Sequence, residues 1–132
     1  MKKRRIVIFV ILGLLATVAI AGFAIKTNIE NNLNQLADVA IPEVDLSKIE
    51  DGTYTGSYKV FPVSAKVEVA VENHHITYID LVEHKNGQGA PAEVIPGQVI
   101  KAQSLDVDAV TGATYSSKVI LLAIENALNG GK

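Results

Sequence analysis

The sequence predicts an α+β fold, in which an N-terminal transmembrane helix precedes a small antiparallel sheet packed against C-terminal helices. Three observations support this class: an uncharged run of twenty residues at 6–25, a period of two in the apolar pattern after Gly52, and a helical period after Lys118. At 132 residues, the chain has room for one small domain besides its N-terminal segment. We expect an anchor, a juxtamembrane helix with a linker, and a folded domain. These parts cover residues 1–25, 26–51 and 52–132.

The N-terminus has the composition of a single membrane span. Residues 2–5 are Lys-Lys-Arg-Arg, and the uncharged run follows them directly. Twenty helical residues rise about 30 Å, the thickness of the hydrocarbon core of a bilayer. Basic residues beside a first span stay inside, so we expect the rest of the chain on the extracytoplasmic side of the cell membrane. A cleaved signal peptide is the alternative, because Ala19 and Ala21 have the spacing of a cleavage site. The length of the run favours an uncleaved anchor.

Composition excludes several kinds of chemistry. The chain has no cysteine, which removes disulfides, thiolate metal sites and cysteine nucleophiles. Without the four cations of residues 2–5, it keeps 8 basic against 14 acidic residues, a net charge of −6. Such an acidic domain is a poor nucleic-acid binder, so we expect no nucleic-acid partner. His74, His75 and His84 lack the spacing of a zinc site, and we expect no metal.

The middle of the chain predicts three short strands. Apolar residues of 26–40 extend the helical pattern of the anchor, or form a short helix beside it, before a polar linker leads to Gly52. Residues 53–61 are rich in Thr, Tyr and Val, and residues 66–72 alternate so that their valines point inward. A turn at Asn73 leads to a third strand, at 76–82. Consecutive short strands indicate an antiparallel meander with one face covered by helices.

Two helices are predicted after the strands. Residues 83–92 lack any period, residues 93–104 support one short helix, and residues 105–107 are extended. A longer amphipathic helix covers residues 118–128. We expect the hydroxyls that precede this helix to cap its first amides; they belong to Thr114, Ser116 and Ser117. Its start therefore offers free N–H groups and a positive dipole end, which suit a phosphate.

Residues 108–117 read Asp-Ala-Val-Thr-Gly-Ala-Thr-Tyr-Ser-Ser. This segment resembles the attachment sequence of the FMN-binding domain family, which includes the flavinylated C subunit of the sodium-pumping NADH:quinone oxidoreductase and the G subunit of the Rnf complex. In that family an acidic residue, two spacers, Ser or Thr, and then Gly-Ala-Thr mark where a dedicated flavin transferase esterifies FMN phosphate onto the last threonine. The resemblance implies that Thr114 bears FMN.

The resemblance also implies a set of cofactor-binding residues around Thr114. The backbone of residues 111–114 and the helix start would hold the phosphate, and Asp108 would serve transferase recognition or loop geometry. Residues 83–89 resemble the glycine-rich segment of the family, which lets the isoalloxazine ring approach the backbone; a flexible surface loop is the alternative. The implied residues are Gly87, Gly89, Asp108, Thr111, Gly112, Ala113, Thr114, Tyr115, Ser116 and Ser117.

Taken together, these features favour a membrane-anchored extracytoplasmic flavoprotein that acts as an electron-transfer carrier rather than as a stand-alone enzyme. Its expected partners are the membrane, the flavin transferase, and an electron donor and acceptor, which are proteins or quinone of unknown identity. Two alternatives stay open. The domain could bind or sense FMN without a covalent bond, or it could be a tethered interaction domain without a cofactor.

Overall fold

The computed structural model describes residues 1–85 and 89–130, so the predicted site residue Gly87 lies outside the described residues. The fold confirms the α+β class. Its helices are α1 (Lys2–Asp38), α2 (Ile95–Ala102) and α3 (Thr114–Glu125), and its strands are β1 (Gly52–Val60), β2 (Val63–Glu72) and β3 (His75–Lys85). Short 3-10 segments lie at Leu46–Lys48 and Ala90–Val94, and a π-helical turn, Asn126–Gly130, continues α3.

α1 is one continuous helix of 37 residues. It is long and apolar enough to cross a membrane, a test that a signal sequence near the N-terminus would also pass. Its second half continues the apolar segment as one helix, as one of the two sequence interpretations proposed, and it docks on the domain. Leu36 is only 1 % exposed, and Asn32 Nδ2 donates to Phe61 O over 3.5 Å. The last turns of the same helix that carries the apolar run therefore contact the domain directly.

The segment that follows α1 lies against the domain. Asp45 accepts hydrogen bonds from the Ser47 hydroxyl and amide, and these bonds, together with Lys48, lower the pKa of its carboxyl. Ile49 is buried. His74 Nδ1 lies 3.0 Å from Ile49 O and 3.2 Å from Leu46 O, which ties the segment to the turn between β2 and β3.

The three strands form an antiparallel sheet in the order β1-β2-β3, which confirms the predicted meander. Asn73 and His74 have φ values of 50° and 62°, as the tight turn of a two-residue hairpin requires. β3 extends to Lys85, so the prediction that the third strand ends at residue 82 was wrong. Register shifts opposite Lys66/Val67 and Ala70/Val71 interrupt the alternation of β3, and this hides the end of the strand from a period-two analysis.

The core lies between one face of the sheet and the C-terminal helices. Val67, Val69 and Val71 are completely buried, as predicted from their alternation. α3 packs across β1 and β2. At Gly56 the backbones of β1 and α3 approach so closely that a Cβ atom would overlap Ala123 O and lie 2.7 Å from Ala127 Cα. Glycine at this position is therefore what allows the helix to reach the sheet.

We expect Gly56→Ala to destabilise the fold by about 1–3 kcal/mol or more, because the added methyl group would meet backbone atoms, which cannot move aside as a flexible side chain can. Gly97→Ala is the matched control, since a Cβ there meets nothing within 4 Å and alanine favours the helix. Thermal unfolding of the full chain in detergent measures both. Equal melting temperatures for Gly56→Ala and the parent would contradict the role of Gly56.

Candidate functional site

A tight turn precedes α3. Ala113 N donates to Val110 O over 2.9 Å, and Gly112, at the third position of the turn, has φ +81°. This positive φ is the requirement of a type II turn, which glycine meets without strain. A Cβ placed on Gly112 would meet nothing within 4 Å, so the backbone of the turn faces open space. A ligand can approach the chain there.

α3 begins earlier than its apolar pattern indicates. Ala113 is the N-cap and Thr114 the first helical residue, and among the described residues no side chain caps this end. The prediction that the hydroxyls of Thr114, Ser116 and Ser117 precede and cap the helix was therefore wrong. The first turn is polar, so an analysis of apolar spacing does not detect it. Helix geometry leaves the amides of the first turn without a hydrogen-bond acceptor inside the helix. The first backbone hydrogen bond at this end is donated by Ser117 N to Ala113 O.

Ser117 holds the turn and the helix together. Its side chain is completely buried; Oγ donates to Ala113 O over 2.8 Å and accepts from Val110 N over 3.0 Å. Ser116 is also buried, at 2 % exposure. Thr111, Thr114 and Tyr115 are exposed. Two hydroxyls of the motif, those of Ser116 and Ser117, are thus buried. The other three, on Thr111, Thr114 and Tyr115, are accessible to an enzyme from solvent.

The beginning of the motif, including Asp108, lies in the segment that leads into the turn. Asp108 is exposed and precedes Val110, whose amide is fixed by Ser117. Upstream, Asp106 N donates to Ser104 Oγ over 3.0 Å. The carboxyl of Asp108 is therefore presented on the surface, two residues before the turn.

Lys118 lies one helical turn after Thr114, on the same side of α3. Its ammonium donates to Ala37 O, at the C-terminal end of α1, over 2.6 Å. It also lines an open groove of about 740 Å³ between residues 39–44 and residues 104–107. Lys118 was not among the predicted site residues, because the predicted helix begins at this position and leaves Thr114 outside it.

The described part of the glycine-rich segment leads into the short helix Ala90–Val94. Gly89 is buried, and its carbonyl accepts from Ala92 N over 2.9 Å at the start of Ala90–Val94. His84 Nδ1 lies 3.1 Å from Glu93 Oε1 and so joins the end of β3 to this short helix, which contacts α3. Gly89 is thus positioned by packing on the same helix that carries Thr114.

The residues at the start of α3 fit the phosphate end of FMN. Thr114 presents an exposed hydroxyl, the first-turn amides are donors, and the positive end of the helix dipole favours an anion. Gly112 leaves the neighbouring backbone open. A small α+β domain with this threonine at a helix start has the features of a flavin-phosphate-binding module.

The comparison with known families agrees with this class. The FMN-binding domain matches residues 62–129, which is more than half of the chain and includes the turn, α3 and the glycine-rich segment. The chain belongs to the FMN-binding domain family, and FMN is the cofactor that this membership indicates. No curated protein and no solved structure matches the chain.

We expect Ser117→Ala to lower the free energy of unfolding by about 1–3 kcal/mol, because Val110 N–H would lose its buried acceptor. Ser116→Ala is the matched control: it removes a neighbouring buried hydroxyl that makes neither of these two contacts. Thermal unfolding measures the loss of stability, and hydrogen exchange at the Val110 amide measures the loss of its hydrogen bond. Unchanged protection of the Val110 amide in Ser117→Ala would show that the serine does not hold the turn.

Proposed function

We propose that this protein is a membrane-anchored, extracytoplasmic electron carrier that holds FMN through a phosphoester to Thr114. The observation that carries the proposal is the position of Thr114: it is the exposed hydroxyl at the first residue of α3, within the attachment sequence of a family that binds FMN. In the family that this sequence resembles, a transferase modifies the last threonine of the Thr-Gly-Ala-Thr segment.

Burial supports Thr114 over Ser116 and Ser117 as the attachment point. The Ser117 hydroxyl is committed to Ala113 O and Val110 N, and Ser116 is 2 % exposed, so neither presents an oxygen to an enzyme without local opening. Thr111 is exposed, but it lies within the turn and before the helix start. Attachment would form a bond from Thr114 Oγ1 to the phosphorus of FMN while a bond from that phosphorus to an oxygen leaving group breaks. The hydroxyl proton leaves with that group, so the protein gains the mass of FMN less one water.

The charge arrangement supports a phosphate at this position. The first-turn amides would donate to its oxygens, and the N-terminal end of α3 carries a positive partial charge. The carboxylate of Asp108 is exposed on the approach to the turn, where repulsion argues against direct contact with the phosphate and in favour of a role in recognition by the transferase. When bound, FMN supplies the redox chemistry, while the protein supplies attachment and orientation.

α1 provides the membrane attachment in this proposal. Residues 2–5 are cationic and precede the apolar run, which favours a cytoplasmic N-terminus and an outer domain. A covalent bond suits a carrier on that side, because a cofactor held by weak contacts alone would diffuse away from the cell. The partners are then the flavin transferase during maturation, and a donor and an acceptor that are proteins or quinone.

Non-covalent binding of FMN is the second candidate, because free amides and a helix dipole hold a phosphate whether or not an ester forms. Acid precipitation separates the two: a covalent flavin stays with the precipitated protein, and a non-covalent flavin is released into the supernatant. The third interpretation, a tethered interaction domain without a cofactor, gains no support from membership in a family that binds FMN.

We expect Thr114→Ala to abolish covalent flavin completely, because no oxygen remains for the ester, while the fold survives since alanine is a better helix former. Thr114→Ser is the matched control, since it keeps an acceptor oxygen. Thr111→Ala should remain modified, with lower efficiency. Protein made together with the transferase is measured by in-gel flavin fluorescence and intact mass.

Peptide mapping locates the bond within this experiment. Trypsin cleavage after Lys101 and Lys118 gives one peptide that contains every hydroxyl of the motif. Fragmentation should place the mass of FMN, less one water, on Thr114. Flavin found on Ser116 or Ser117, or retained in Thr114→Ala, would show that the wrong hydroxyl has been assigned.

We expect neutral residues in place of Lys2, Lys3, Arg4 and Arg5 to scramble the orientation of the anchor, since basic residues beside the first span dominate its direction. Covalent flavin should fall in parallel, because the transferase of the family works on the outer side. Reporter fusions at the C-terminus measure the orientation, with Lys26→Gln as a control beyond the span. A cytoplasmic C-terminus in the unmodified protein would contradict the outer location.

A further inference from the structure

The turn between β1 and β2 contacts α1 near Asn32, seven residues after the end of the uncharged run. Asn32 Nδ2 donates to Phe61 O. The groove between helix and strand is lined by residues 58–61 and, at the end of α1, by Asn32, Gln35, Leu36 and Val39. At the opposite end, the β2–β3 turn contacts Leu46 and Ile49, beyond the end of α1. The β1–β2 turn is thus the end of the sheet that contacts α1, and its contact at Asn32 lies on the side of Leu36 from which the uncharged run approaches.

The docking of α1 fixes how far this turn lies from the bilayer. α1 is unbroken from the span to Asp38, Leu36 is 1 % exposed, and Lys118 Nζ donates to Ala37 O over 2.6 Å. Contacts on β1 and on α3 thus hold the last turns of the helix from two directions. For a helix that crosses the bilayer near its normal, the height of the β1–β2 turn then follows from the rise per residue.

That height matches the lipid headgroups. The uncharged run ends at Ile25, and Asn32 lies seven residues later, which is about 10 Å along the axis. The headgroup region extends about 5–8 Å beyond the hydrocarbon core on each side. The backbone at Phe61 therefore lies just outside the headgroups, and its side chain has the length to enter them.

The composition of the turn fits an interfacial contact. Phe61 is 56 % exposed and is the one phenylalanine of the sequence outside the uncharged run. Lys59 is exposed two residues before it, and Lys26, with Glu30 at 3.8 Å, lies on α1 below. An exposed apolar ring beside basic residues is the composition of segments that insert at the boundary between headgroups and acyl chains.

We propose that Phe61 inserts into the headgroup region of the leaflet from which α1 emerges, and that Lys59 contacts anionic headgroups beside it. The domain would then contact the membrane at two points, the span and the β1–β2 turn, and this would fix its rotation about the helix axis. The proposal rests on the retention of α1 as a membrane span, and it is independent of how FMN is bound.

The absence of tryptophan from the sequence makes a direct test possible. Phe61→Trp introduces a sole tryptophan into the full chain, and Tyr78→Trp is the matched control, because Tyr78 is also 56 % exposed. Tyr78 pairs with Ala70, seven residues along β2 from the β1–β2 turn, which corresponds to about 23 Å. Both proteins are reconstituted into vesicles that contain phosphatidylcholine with a nitroxide on its headgroup.

We expect the emission of Trp at position 61 to shift to the blue and to fall by about half in the nitroxide vesicles, since an interfacial ring lies at the depth of the label. The control should change little. Equal quenching of the two variants, or none, would overturn the insertion. If far-UV circular dichroism shows that Phe61→Trp is unfolded, Phe61→Cys with a nitroxide, in a chain without other cysteines, reports the depth by electron paramagnetic resonance.

Vesicle flotation separates this proposal from the one on which it rests. A chain that floats but has an unquenched tryptophan at position 61 would overturn the insertion and leave the anchor standing. A chain that fails to float would overturn both, whatever the outcome of flavin mapping at Thr114.

Discussion

The close contact between the backbones of α3 and β1 at Gly56 is the constraint on which the rest of the structure depends. Because a Cβ at this position would overlap Ala123 O, only glycine lets the helix lie directly on the strand. That contact fixes α3 over the sheet and buries the valines of β2 beneath it. The start of α3, with Thr114 at its first residue, and its link to α1 through Lys118 both follow from that placement.

The same arrangement protects the two edges of the sheet. On β1, Ser57 N donates to Asn126 Oδ1, at the point where α3 passes into its π-helical turn. On β3, Gln103 donates to Ile76 O and accepts from Ile76 N, both over 2.8 Å, and thus imitates a paired strand. Side-chain amides therefore occupy edge groups that could otherwise pair with another chain.

Much of the fold could be predicted from local patterns, and the reasons for the remainder are physical. The alternation at residues 66–72 and the helical period at 118–128 report burial directly, so the strand and the helix were found. Register shifts hid the end of β3, and a polar first turn hid the start of α3.

The attachment motif of the candidate site was visible in the sequence. Which of its hydroxyls are buried and which are exposed could not be predicted from it. Nothing local distinguishes Ser117, which is buried between Val110 and Ala113, from the exposed Thr114. The hydrogen bond from Lys118 to Ala37 joins residues 81 positions apart in the sequence, and it forms only because α1 packs on α3. Long-range contacts of this kind leave no periodic signal.

The unbroken α1 limits how the domain can encounter other molecules. Had residues 26–51 been a free tether, the domain would sweep a volume whose radius grows with the square root of the tether length, about 5–6 Å × √n. Residues 26–38 are helical and Ile49 is buried in the domain, so that freedom is lost. With α1 in a membrane, the domain would meet other molecules by lateral diffusion in two dimensions and by rotation about one axis, always at one height above the lipid. A partner would have to present its own surface at that height.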